Sequence, residues 1–281
     1  MKNRKRLAAI LCCAGMLTGC NSEVQPDDTS SPSEESSEAS EGTMLYQSDR
    51  VRIKFTGESS DEMYTYLDLE IENLTDGQLI VAANDIAING AMIDPFLYAA
   101  TEGGKTTDAQ MEFSNAVLEE QGIESLGDVE FSFFITDGSS SEGLERSEII
   151  TLELHEPTAP KRAEGVVIYD NSGLKITYLG MKPSESTDGT AAFDVQNDMG
   201  QNIIIDIRDI CIDGVYVNAE LYHPITNGKF RVCDMIFWDE GVLTEDAGVL
   251  EFEMGAFDPE TYESILETGT LTVDLQSITT E

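Results

Sequence analysis

The chain has 281 residues and carries 54 Asp and Glu against 16 Lys and Arg, a formal net charge of −38. That balance speaks against nucleic-acid binding, which needs a basic footprint, and against lying flat on an anionic membrane. The length suits one or two domains.

The chain opens on a basic stretch, MKNRKR, followed by the apolar run Leu7 to Leu17 and then LTGC, ending at Cys20. The apolar run has the length of a signal-peptide core and is too short to span a bilayer as a helix. Small residues just before a Cys resemble the lipobox of bacterial lipoproteins. That resemblance implies a signal peptide over 1–19, removal before Cys20, and lipid on Cys20. Acyl chains bury CH₂ groups at roughly 0.8 kcal/mol each, so several together anchor a protein to the membrane. The alternative is an ordinary secretory signal that happens to contain Cys20. Cleavage removes Lys2, Arg4, Lys5 and Arg6, which takes the net charge from −38 to −42. Residues 20–43 are rich in Ser, Glu, Asp and Pro and nearly free of apolar side chains. Such a segment cannot bury enough surface to offset its ordering entropy and is expected to be a disordered tether, roughly 25–30 Å long by random-coil scaling.

From residue 44 the hydrophobic period is two. VRIKF alternates Val51, Ile53 and Phe55; YLDLEIEN alternates Leu67, Leu69 and Ile71; VEFSF places Val129, Phe131 and Phe133 on one face. Alternation of this kind marks half-buried strands. DIAINGAMID, Asp85 to Asp94, reads as a hairpin whose Asn89-Gly90 suits a type I′ turn. Its two-residue loop pairs Ile88 with Ala91 and Ile86 with Ile93 on a face expected to enter the core. Ala87 and Met92 share the outer face.

The segment then recurs. Asn73–Phe113 aligns without a gap to Asn197–Phe237 at a constant offset of 124, matching among others Asn73/Asn197, Asp85/Asp209, Ile86/Ile210, Ile88/Ile212, Gly90/Gly214, Lys105/Lys229 and Phe113/Phe237. Upstream Gly57 meets Gly180, and downstream, after a three-residue deletion, GDVEFSF meets GVLEFEM. The chain is therefore divided into sandwich 1 over 44–155, a linker over 156–164 and sandwich 2 over 165–281. About seven strands per copy, spaced by Gly, Asn and Asp clusters, predict two tandem immunoglobulin-like antiparallel β-sandwiches, an all-β chain. In the second hairpin, Ile212 pairs with Val215 and Ile210 with Val217 on the inner face, and Cys211 with Tyr216 on the outer. Helix signals are confined to a turn or two from Asn115 and a short start at Asp258.

The run IENLTDGQLIVAANDIAINGAMID, with the following GK and a strand ending MEF, resembles repeats of surface lipoproteins of Gram-positive anaerobic bacteria. That resemblance implies tandem immunoglobulin-like domains of unknown function at the cell surface. It carries no catalytic or binding residues onto this chain.

The chemistry on offer is sparse. His155 lies at the linker edge and His223 stands where the first copy has Ala99. The sequence contains no nucleophile elbow, no His-Glu-x-x-His and no phosphate-binding glycine loop. Cys211 and Cys233 sit in an oxidising compartment, yet their parity differs, which disfavours a bridge between them. TDGSSSEG, Thr136 to Gly143, lacks the alternating oxygen ligands of an EF-hand. Catalytic, cofactor-binding and metal residues are accordingly none. Trp238, opposite in parity to Phe237, and Tyr216 on the outer hairpin face are candidates for surface contact, with Trp238 covered by the following loop as the plainer alternative. The expected function is a lipid-anchored, non-enzymatic binding, adhesion or scaffolding protein of the cell envelope. Its partners would be the membrane, through Cys20, and an envelope protein or glycan, with no nucleic acid. The alternatives are a carboxylate-based envelope hydrolase, which would need a cleft with two nearby carboxylates, and a passive accessory subunit of an envelope or transport system.

Overall fold

The computed structural model describes residues 42–182, 189–239, 241–243 and 247–278. The expected signal peptide, Cys20 and all but the last two residues of the tether lie outside these. Among the described residues no helix is long and apolar enough to cross a membrane.

The chain is an all-β sandwich fold built twice. The first copy contains β1 (Thr43–Gln47), β2 (Val51–Ser60), β3 (Tyr64–Asn73), β4 (Leu79–Ile88), β5 (Ala91–Met92), β6 (Tyr98–Thr101), β7 (Thr106–Ser114), the single helix α1 (Asn115–Glu120), β8 (Asp128–Asp137), β9 (Gly143–Arg146) and β10 (Ile150–Glu153). The second contains β11 (Val166–Asn171), β12 (Leu174–Lys182), β13 (Thr190–Asn197), β14 (Ile203–Ile212), β15 (Val215–Tyr216), β16 (Ala219–Glu220), β17 (Tyr222–Ile225), β18 (Lys229–Phe237), β19 (Val249–Phe257) and β20 (Ser264–Asp274). The copies thus have more strands than periodicity predicts, because two- and four-residue strands are too short to display a period. The helix from Asn115 forms. No helix follows Asp258: its carboxylate instead accepts the amides of Glu260 and Thr261 in a tight turn, and Tyr262 has φ 57°.

In the first copy the sheet β1-β2-β3-β7 faces a sheet built on β10-β8-β4, with β6 and β9 at its margins. The core between them is made by the alternating residues read from the sequence: Val51, Ile53, Leu67, Leu69 and Ile71 against Val81, Ile88, Val129, Phe131 and Phe133, all buried. The second copy repeats this, with β12-β13-β18 facing β14-β19-β20 across Ile176, Tyr178, Phe193 and Val195 on one side and Ile205, Phe252, Met254 and Val273 on the other. Repeated irregularities match as closely as repeated strands. A register shift falls between Phe55 and Gly57 in β2 and between Tyr178 and Gly180 in β12.

The copies are joined by more than their linker. β5 pairs in parallel with β18, so one sheet runs β10-β8-β4-β5-β18-β13-β12-β11 through both sandwiches. Two expectations for the hairpin face are corrected here. Ala87 and Met92 are not exposed: they are 2% and 3% accessible and belong to the core of the second sandwich. Val215, expected inside, is 67% accessible. Alternation says which residues share a face, but a distant segment decides what covers that face.

Candidate functional site

Both hairpins turn as their sequences demand. Asn89 and Gly90 have φ 51° and 91°, and Asp213 and Gly214 have φ 49° and 78°, the left-handed pair of a type I′ turn. The first turn residue has a second task. The Asn89 side chain accepts the Asp128 amide at 2.9 Å, and the Asp213 carboxylate accepts the Val249 amide at 2.8 Å, pinning each turn to the start of the strand, β8 or β19, that pairs with the hairpin's first arm. Those amide donors, Val249 first and then Gly248, hold the Asp213 carboxyl below the usual carboxylate range.

Around the first hairpin the structure assembles a joint. The Phe230 amide donates to the Gly90 carbonyl at 3.2 Å, and the Thr226 amide to Met92 Sδ at 3.1 Å. Lys229 pairs with Glu130, Arg231 with Asp94, and Lys182 with Glu120 at 2.5 Å. The linker is pinned as well. Arg162 grips Asp194 with two hydrogen bonds of 2.6 and 2.7 Å and lies 4.3 Å over the Phe230 ring. Burial pushes the Asp194 carboxyl above its ordinary value despite that guanidinium.

The second hairpin has no such cover. Tyr216 is 75% accessible and Cys211 half-buried beneath it. Trp238 is also exposed, so the covering loop considered from the sequence does not hide it. Hydrogen bonds link the stretches that carry the two candidate contact residues. The Trp238 amide donates to the Asn218 carbonyl at 2.9 Å, and the Asn218 amide donates to Asp239 at 2.6 Å, so the hairpin's exit is stitched to the end of β18.

At the opposite copy lies a cleft of about 760 Å³ between β6 and β7, which sequence reading missed. It is lined by Phe96, Tyr98, Ala99, Thr107, Ala109 and Glu112 among others. Phe96 and Tyr98 are exposed large apolar side chains, and on its edge away from β3, β7 is bridged to Phe96 through Glu112. The sequence signal was the run of small residues facing aromatics, which is too weak to read without knowing that β6 and β7 adjoin. Asp68 and Asp108 reach the same cleft, and the Asp68 carboxylate is occupied by Gln110 at 2.8 Å and Ser59 at 3.1 Å.

The remaining candidates are placed as follows. His155 bonds Glu58 at 2.8 Å. His223 is held below its ordinary pKa by burial and then by Arg231. Cys211 and Cys233 are both free, and burial pushes the Cys233 thiol up. Asp137, in the TDGSSSEG stretch, caps the Ser139 and Ser140 amides and hydroxyls, which lower its carboxyl to about 2. Among the described residues no group of three or more His, Cys, Asp or Glu could hold a metal ion.

No family model matches the chain, and no curated protein matches it. Among solved structures it is similar to the YadV chaperone, with 13% identity, a TM-score of 0.27, and coverage of 80% of this chain and 100% of that one. A protein of unknown function from Porphyromonas gingivalis W83 matches at 11% identity and TM-score 0.22, over 80% of this chain and 97% of that one. A conserved domain protein from Bacillus anthracis matches at 11% identity and TM-score 0.26, over 86% and 94%. Likenesses at this level carry no argument about activity.

Proposed function

We propose that the protein is an envelope lipoprotein, held to the membrane through lipid on Cys20, that works by binding or scaffolding rather than by catalysis. The observation that carries this reading is the exposure of Tyr216 and Trp238. Tyr216 stands in solvent on a hairpin fixed by its turn and by Asp213, and Trp238 stands in solvent just past β18, where the Asn218 bonds tie the hairpin's exit. Rigid exposed aromatics supply contact area at low entropic cost and are enriched at interface hot spots. The joined sandwiches support a carrier role, because a continuous sheet ties the copy that bears Tyr216 to the other copy.

Cys20→Ala is expected to move the protein from the membrane fraction to the soluble one. Immobilised protein is expected to capture a component from envelope extract or a glycan array, and Tyr216→Ala with Trp238→Ala to cut that capture at least tenfold. Capture of nothing, or capture indifferent to both substitutions, would overturn the reading.

A further inference from the structure

The repeat is complete in its elements but asymmetric in its contacts. The β4–β5 hairpin of the first copy is docked against β18 of the second. The equivalent β14–β15 hairpin is bare, with Val215 and Tyr216 exposed. Conversely, the groove beside β18 is filled by Met92, whereas the equivalent groove beside β7 is the open cleft. Each chain therefore ends in an unused plug at one copy and an unused socket at the other.

We propose that the occupant of the cleft is a second copy of this chain, whose Tyr216 hairpin docks between β6 and β7 as Met92 docks within the chain. This names the partner for the contact surface proposed above and rests on that reading.

The intrachain joint supplies the template, residue for residue, at the repeat offset. The bond from the Phe230 amide to the Gly90 carbonyl becomes one from Thr106 to Gly214 of the other copy. The turn presenting the socket is the same in both copies: Lys105 donates its amide to Glu102 at 3.1 Å, as Lys229 does to Thr226 at 3.1 Å. The volumes change in compensating directions. The plug grows from Ala87 and Met92 to Cys211 and Tyr216, while the cleft is lined by Ala99, Thr107 and Ala109 at positions where the second copy has the larger His223, Arg231 and Cys233. Close packing requires such compensation when a contact is rebuilt. Charge is matched too. Glu130 lies opposite Ala87, and Glu251 lies opposite Cys211 in the equivalent register. The Lys229–Glu130 pair thus becomes Lys105–Glu251, and among the described residues neither of these forms an ion pair. The Arg231–Asp94 pair becomes Thr107 facing Asn218, which keeps a donor and an acceptor without charge. A plug and a socket formed by different residues make a heterologous contact, whose repetition links copies head to tail in rows or rings.

The test places the photo-cross-linker benzoylphenylalanine at position 216 of the full chain, expressed in bacterial membranes and irradiated in about 0.15 M salt, where screening limits repulsion between the acidic chains to roughly 8 Å. The expected product is a ladder of covalent dimers, trimers and larger species, with cross-linked peptides falling within residues 96–112. Lys105→Glu is expected to weaken the ladder at least tenfold, and Lys105→Glu combined with Glu251→Lys to restore it. Cross-links to a different protein without a ladder would overturn the self-assembly and keep the contact surface. Absence of cross-links would overturn both. A ladder mapped elsewhere, or unmoved by the charge swap, would overturn the docking geometry.

Discussion

At the scale of single residues, the repeat preserves what the backbone cannot do without. Asn73 and Asn197 are buried and play one role. The Asn197 side-chain amide donates to the carbonyls of Gln201 and Ile225, both at 2.9 Å, and its oxygen accepts the Met199 amide. Asn73 does the same with Gly77, Thr101 and Thr75, each 124 residues earlier. Leaving a buried polar group without its partner costs about 1–3 kcal/mol. Asn197→Ala is expected to lower stability by about 3 kcal/mol, read as a shift of the urea midpoint with unchanged slope. The match between the two asparagines is legible in the sequence. Their task is not, because the carbonyls they serve belong to a loop 4 residues away and to a strand end 28 residues away.

At the scale of elements, the matched pair Asp85 and Asp209 explains a kink. Both have φ 53°, and each sits where pairing with the neighbouring strand slips, between Asn84 and Ala87 and between Arg208 and Cys211. These are β-bulges with a left-handed residue, a conformation that Asp and Asn tolerate better than other side chains. A bulge bends its strand, and in the first copy the hairpin beyond it meets β18 of the second sandwich. Asp209 is exposed, so its backbone role can be tested cleanly. Asp209→Val is expected to cost about 1–3 kcal/mol through strain, whereas Asp209→Gly stays within about 1 kcal/mol of the parent in the same denaturation experiment. Periodicity finds the strands on either side but steps over a bulge, since one inserted residue breaks the count of two.

At the scale of the whole molecule, the consequence is coupling. Met92 and Ala87 are chain neighbours of the first core and spatial members of the second. Phe230 packs the other way, onto the first core. Unfolding either sandwich therefore strips the other of buried apolar surface. Calorimetry is expected to show one transition for the parent chain. Met92→Asp, which sets a charge in that joint, is expected to split it into two, and Met92→Ala to lower stability by about 2–4 kcal/mol. By itself the sequence determined the strand faces and both type I′ turns, because these depend on neighbours one, two or three residues apart, and the repeat, because it is a match of residues at a fixed offset. Only the tertiary structure decided that one hairpin is buried and its twin bare, and that a cleft opens beside β7. Those outcomes depend on which strand edge a hairpin meets, and two hairpins of the same local pattern carry no record of what lies 140 residues further along the chain.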